Sequence, residues 1–156
     1  TDVLVLATTG GSGTEELRKR FPPANFIIED FIPFDEVMPL ADVYITNGGM
    51  GGVMLAIQNN LPMVVAGIHE GKNEITARVG YFGLGINLKT EKPRTIQVKA
   101  AVEEVLKNPS YRKAVKKLSR EMAAYDPAKL CEQYTAQLLP SRRKPVLEER
   151  EPEPIY

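Results

Sequence analysis

Asp42 to Val79 reads DVYITNGGMGGVMLAIQNNLPMVVAGIHEGKNEITARV, and this stretch decides the fold. Val43 to Thr46 is a short β-branched and aromatic run, Pro62 to Ala66 (PMVVA) is another, and a helical segment lies between them. Runs of this kind are what buried parallel strands look like. The turn Asn47-Gly48-Gly49-Met50-Gly51-Gly52 sets four glycines just ahead of the helix. Glycine permits positive φ, and without a Cβ it lets a ligand oxygen come up to main-chain N–H groups. A helix starting near Met50 or Gly51 leaves its first N–H groups without intrahelical partners, and its dipole faces the space above the turn. In an open α/β sheet that space lies at the carboxyl ends of the strands, where ligands bind. Glycines can also serve only to tighten a turn, but this density between a strand and a helix points to a bound phosphate.

Two better-known phosphate motifs do not fit. The dinucleotide fingerprint GxGxxG, started at Gly49, finds Gly51 but then Met54 in place of the third glycine. Gly67-Ile68-His69-Glu70-Gly71-Lys72-Asn73 has three residues between its glycines where a P-loop has four, and Asn73 replaces the magnesium-binding Ser or Thr.

Working outward, the same pattern repeats. Asp2 to Thr8 (DVLVLAT) is an apolar run of strand length, followed by Thr9-Gly10-Gly11-Ser12-Gly13 and a short helix over Thr14 to Arg20. A Pro-Pro connection from Phe21 to Asn25 leads to a strand at Phe26 to Glu29. Pro33 then breaks the chain, and Asp35 is expected to cap a brief helix ending near Leu40. Phe31 and Phe34 flank that proline; they can offer a flat apolar surface to a base, although spacing alone favours core filling. Beyond Val79 the reading is a helix over Asn73 to Phe82, a strand over Leu84 to Leu88, a loop from Lys89 to Pro93, and helices over Thr95 to Lys107, Tyr111 to Tyr125 and from Pro127 to about Leu139. Lys113, Lys116, Lys117 and Arg120 read as a solvated helix face. From Pro140 onward, proline and charge predict a disordered or draped tail, so residues 1–139 form the domain and 140–156 the tail. Strands alternating with helices predict α/β architecture, a Rossmann-like parallel sheet flanked by helices.

Lys plus Arg equals Asp plus Glu at 20 each, so no net field recommends nucleic acid or an anionic membrane. No apolar run is long enough to span a bilayer. A single cysteine, Cys131, and a single histidine, His69, give no zinc site of the usual kind and suit a reducing, cytoplasmic setting.

Phe31 to Leu88, FIPFDEVMPLADVYITNGGMGGVMLAIQNNLPMVVAGIHEGKNEITARVGYFGLGINL, resembles the donor-binding signature of family-1, UDP-glycosyltransferase-like enzymes, in the bacterial and fungal subgroup whose turn reads TNGGxGG. The likeness covers roughly Val3 to Leu139. It implies the C-terminal half of a GT-B fold, with the half's first strand and helix absent from these residues and the acceptor-binding N-terminal half outside them. It further implies a UDP-sugar as donor substrate, with no separate cofactor and no metal. By the same resemblance Asn47, Gly48, Gly49, Met50, Gly51, Gly52 and Val53 hold the diphosphate. Phe31 and Ile32, with Phe34 beside them, hold the base, and Glu70, Gly71 and Lys72 face the sugar. Many relatives carry His at the position of Asn47, Ser or Thr at Val53, Glu at Leu55 and an acidic-Gln pair at Gly71-Lys72. Asn47 can still donate a hydrogen bond but carries no charge, so the main chain bears more of the diphosphate. The implied parent activity is inverting transfer of a hexosyl group to a small-molecule hydroxyl, with the catalytic base outside this chain. The chain alone is then expected to be inactive. A non-catalytic nucleotide-binding subunit serving a separate partner is the alternative.

Overall fold

The computed structural model describes residues 3–21 and 25–139. The described residues fall into two compact units, the first ending at Glu121 and the second beginning at Met122. In the first unit the chain runs β1 (Val5–Thr8), α1 (Thr14–Arg20), β2 (Phe26–Glu29), α2 (Phe34–Val37), a 3-10 turn (Met38–Leu40), β3 (Tyr44–Thr46), α3 (Met50–Gln58), β4 (Met63–Val65), α4 (Lys72–Tyr81), β5 (Gly85–Asn87), α5 (Thr95–Lys107) and α6 (Pro109–Ala123), whose last turn crosses the boundary. The second unit holds α7 (Pro127–Leu138), started by Asp126, whose carboxylate accepts from the Lys129 N–H at 3.1 Å. The proposed tail lies outside the described residues, as do Asp2 and part of the Pro-Pro connection. Among the described residues no helix is long and apolar enough to cross a membrane.

Every strand pair is parallel, as the alternation of elements predicts, but the strands divide into two sheets, β1-β2 and β3-β4-β5. The expected Rossmann-like parallel architecture flanked by helices holds, with its strands hydrogen-bonded in these two groups among the described residues. Among the described residues β1 bonds only to β2 and β3 only to β4, so each presents one open edge. That openness also changes the burial. Val43 to Thr46 is not the fully buried run its composition suggests, since Ile45 is 51% exposed, and Leu4 just before β1 and Leu6 on it are exposed as well. PMVVA behaves as expected: Met63, Val64 and Val65 are wholly buried.

β4 is central because both neighbours and a helix cover it. Val64 packs with Ala101 and Val105 of α5, ringed by Val43, Ile86, Leu88, Val102 and Tyr111. Removing such side chains from water at about 25 cal/mol per Å² is the main force holding this half together. Gly85 permits the close pairing of β5 with β4, since a Cβ there would run into the Met63 backbone. The β1-α1-β2 half buries far less; Ile28 and Thr14 are its only buried residues among those described.

Asp35 does not cap its helix. α2 already starts at Phe34 after Pro33, so Asp35 lies in the first turn, where its charge suits the dipole but its side chain caps nothing. Pro109 starts α6 two residues before the expected Tyr111, because the first helical position needs no N–H.

Candidate functional site

The glycine turn sits at the carboxyl end of β3. Gly49 is the N-cap of α3 in extended conformation, and no side chain caps the helix. The first intrahelical bond runs from the Val53 N–H to the Gly49 carbonyl at 3.1 Å, so the N–H groups of Met50, Gly51 and Gly52 precede the ladder. The turn closes on itself: Thr46 Oγ1 accepts from the Gly48 N–H at 3.3 Å, and Asn47 Oδ1 accepts from the Gly49 N–H at 3.1 Å. Asn47 thus spends its oxygen on the turn, leaving its amide NH₂ as the group able to donate outward.

The glycines of the turn sit under different constraints. Only Gly48 takes positive φ, at 78°, and it is buried so close to Thr76 Cγ2 that no side chain fits. Gly52 is helical and lies under Tyr44, whose hydroxyl would be 3.1 Å from an added Cβ. Gly51 has nothing within 4 Å. Its side of the first helical turn is open space. Met50 beside it is 52% exposed, while Val53 is buried and its N–H already donates to the Gly49 carbonyl, so the expected role of Val53 is left without a free donor.

The second loop, between β4 and α4, follows one strand over. Gly67 is buried against the Asn47 carbonyl, so close that a Cβ would collide with it. This contact joins the two loops at their bases. Thr76 of α4 lies beneath both: its hydroxyl donates to the Gly67 carbonyl at 3.3 Å and the Asn73 carbonyl at 3.2 Å, while its methyl fills the space at Gly48. Ile68 to Gly71 are exposed, with Glu70 at φ 56° and Gly71 at φ 79°. The Lys72 ammonium pairs with the Glu70 carboxylate, an ion pair that holds Glu70 below and Lys72 above their ordinary pKa values. From the loop after β5, Glu91 Oε1 accepts both the Ile68 N–H at 2.6 Å and the His69 N–H at 2.7 Å. Those N–H groups, Ile68 first, hold the Glu91 carboxyl below the usual carboxylate range.

The third segment follows β2. Phe31 is 76% exposed, Ile32 half-buried, and Phe34 half-buried with its ring edge-on to Tyr44 at 6.2 Å. The two phenylalanines therefore divide the alternatives left by their spacing: Phe34 packs inward and Phe31 stands free as a flat surface. Phe31 also lies beside the glycine turn after β1, 3.8 Å from where a Gly11 Cβ would be. That turn is laced to the end of β2 by Thr14 donating to Asp30 Oδ1, Thr8 to the Asp30 carbonyl, and the Gly10 N–H to the same carbonyl at 2.9 Å.

Sequence reasoning missed four supports, Gly67, Thr76, Tyr44 and Glu91. Gly67 carried a signal, a glycine ending a buried strand; the others act across sequence separations that no local pattern encodes. Among the described residues no group of three or more His, Cys, Asp and Glu could hold a metal.

The family model for the erythromycin biosynthesis protein CIII-like C-terminal domain matches residues 3–136. The 4'-demethylrebeccamycin synthase of Lentzea aerocolonigenes is 41% identical over 125 residues, 80% of this chain and 29% of that protein. UDP-glucosyltransferase 1 of Beauveria bassiana is 38% identical over 120 residues, 77% of this chain and 26% of that one. The chain thus spans less than a third of the length of these relatives. In three dimensions it is similar to the glycosyltransferase VinC, solved in complex with dTDP, with a TM-score of 0.79 at 17% identity over 88% of this chain and 34% of VinC; that likeness is one of fold.

Proposed function

Because the chain belongs to the family of erythromycin biosynthesis protein CIII-like C-terminal domains, we infer that it is the nucleotide-sugar-binding part of a glycosyltransferase and that its donor is a UDP-sugar. The observation that carries this reading is the open space at Gly51, where the first N–H groups of α3 and the helix dipole meet at the carboxyl end of β3. A diphosphate there would be held by main-chain donors from Met50 to Gly52 and by the Asn47 amide. Phe31 and Ile32 would take the uracil, and Glu70, Gly71 and Lys72 the sugar. Naming of relatives as UDP-glucosyltransferases supports the choice of nucleotide.

The chemistry proposed for the whole protein is inverting. An acceptor hydroxyl attacks the anomeric carbon, its proton passes to a base, the bond from that carbon to the diphosphate oxygen breaks, and the leaving charge falls on the turn's N–H groups. His69 is exposed in the sugar loop and is not assigned as that base. The base, the alignment of a small-molecule acceptor and the pocket that receives it are assigned to a part of the protein outside these 156 residues.

Calorimetric titration of the chain with UDP tests the reading. Binding by the wild type that disappears in Gly51→Val, with folding intact, is the expected result. Equal affinity in both would remove the diphosphate from this turn.

A further inference from the structure

We infer that Glu91 is the positioning residue of the β4–α4 loop, and that by holding this loop it sets discrimination between sugars without touching them; the second half of the inference rests on the donor-binding reading above. One oxygen, Oε1, takes both the Ile68 and His69 N–H groups. Consecutive N–H groups converging on one point form a concavity suited to an anion. Here the anion is the protein's own, delivered from another loop across 22 residues of sequence.

Burial does not hold this loop. Ile68, His69, Glu70 and Gly71 are exposed, and two consecutive residues sit at positive φ, which for Glu70 is a conformation that costs energy. Gly67 and Thr76 fix where the loop leaves β4 and enters α4, and Glu91 fixes its shoulder. The charged neighbours are His69 and Lys72, which favour the carboxylate form of Glu91, and Glu70, whose own carboxyl Glu91 pushes upward and which is paired with Lys72. At neutral pH the carboxylate is ionised and the clamp is closed. Its release would free Glu70 and Lys72, the two charged side chains assigned to the sugar, while the glycine turn one strand away stays as it is.

The test compares Glu91→Ala, Glu91→Gln and Glu91→Asp with the wild-type chain, using UDP, UDP-glucose and UDP-galactose as titrants and amide resonances of Ile68 and His69 as local reporters. In Glu91→Ala the preference between the two UDP-sugars should move by about fivefold or more, the scale of one or two hydrogen bonds, with affinity for UDP kept within about twofold. Glu91→Asp should recover part of the preference. In the wild type both amides should shift together as pH falls, with a midpoint below the ordinary carboxylate range, and Glu91→Gln should abolish that shared titration. Unmoved amides in the variants would overturn the clamp. Moved amides with an unchanged sugar preference would overturn its role in discrimination. Failure of the wild type to bind UDP would instead overturn the donor reading and with it the sugar role, while the amide titration would still decide the clamp.

Discussion

At the scale of single residues, the glycines that look alike in the sequence separate into three kinds of constraint. Gly48→Ala puts a side chain at positive φ and against Thr76, and should destabilise the fold by about 1–3 kcal/mol from backbone strain alone. Urea unfolding measures it, and adding Thr76→Ser, which removes the colliding methyl, should restore the steric part but not the strain. Gly51→Val should leave the unfolding midpoint unchanged or slightly raised, because glycine is the poorer helix former and the site is open. Gly52→Val meets the Tyr44 hydroxyl and should lose stability together with any binding. The sequence makes the cluster legible as a candidate anion turn. It does not tell which glycine serves space, which serves φ and which is left open to the proposed ligand, because the answers lie in Tyr44 and Thr76, on other elements.

At the scale of elements, α1 and α5 begin and end where the helical pattern predicts, α2 passes into the 3-10 turn at Met38 before reaching Leu40, and the remaining helices shift by a residue or two. Strands are legible as strands; their burial is not, because it depends on what lies beside them. Two substitutions expose the difference. Leu61→Ala, at a residue 1% exposed two positions before β4, should cost about 2–5 kcal/mol, whereas Leu6→Ser on β1, 43% exposed, should change the unfolding midpoint little. The β4–α4 loop has its own signature in pH. Glu70 and Glu91 both have carboxyl pKa values lowered in the folded protein, so the stability they contribute is fully present above the ordinary carboxylate range and is lost as pH falls through the lowered values. Amide protection in residues 67–72, measured relative to the intrinsic exchange rate at each pH, should therefore be flat from neutrality down to that range and should fall below it. Lys72 and Glu70 are visible in the sequence as a charged loop, but Glu91 is not, since its partners are main-chain groups and any residue could supply them.

At the scale of the whole first unit, the parallel architecture was readable from alternation alone, while the division into β1-β2 and β3-β4-β5 was not, because strand order is a property of crossovers and not of composition. That division has a consequence in time. One half carries Val64, Ala101 and Val105 around a covered strand, and the other buries little beyond Ile28, so their amides should exchange with solvent on separate clocks, β1 and β2 far ahead of β4. The proposed ligand touches both: Phe31 follows β2, and the glycine turn follows β3. A nucleotide spanning that pair would slow the faster clock more than the slower one, and deuterium uptake with and without UDP would read it strand by strand. Ligand recognition would then be, for β1 and β2, an act of folding.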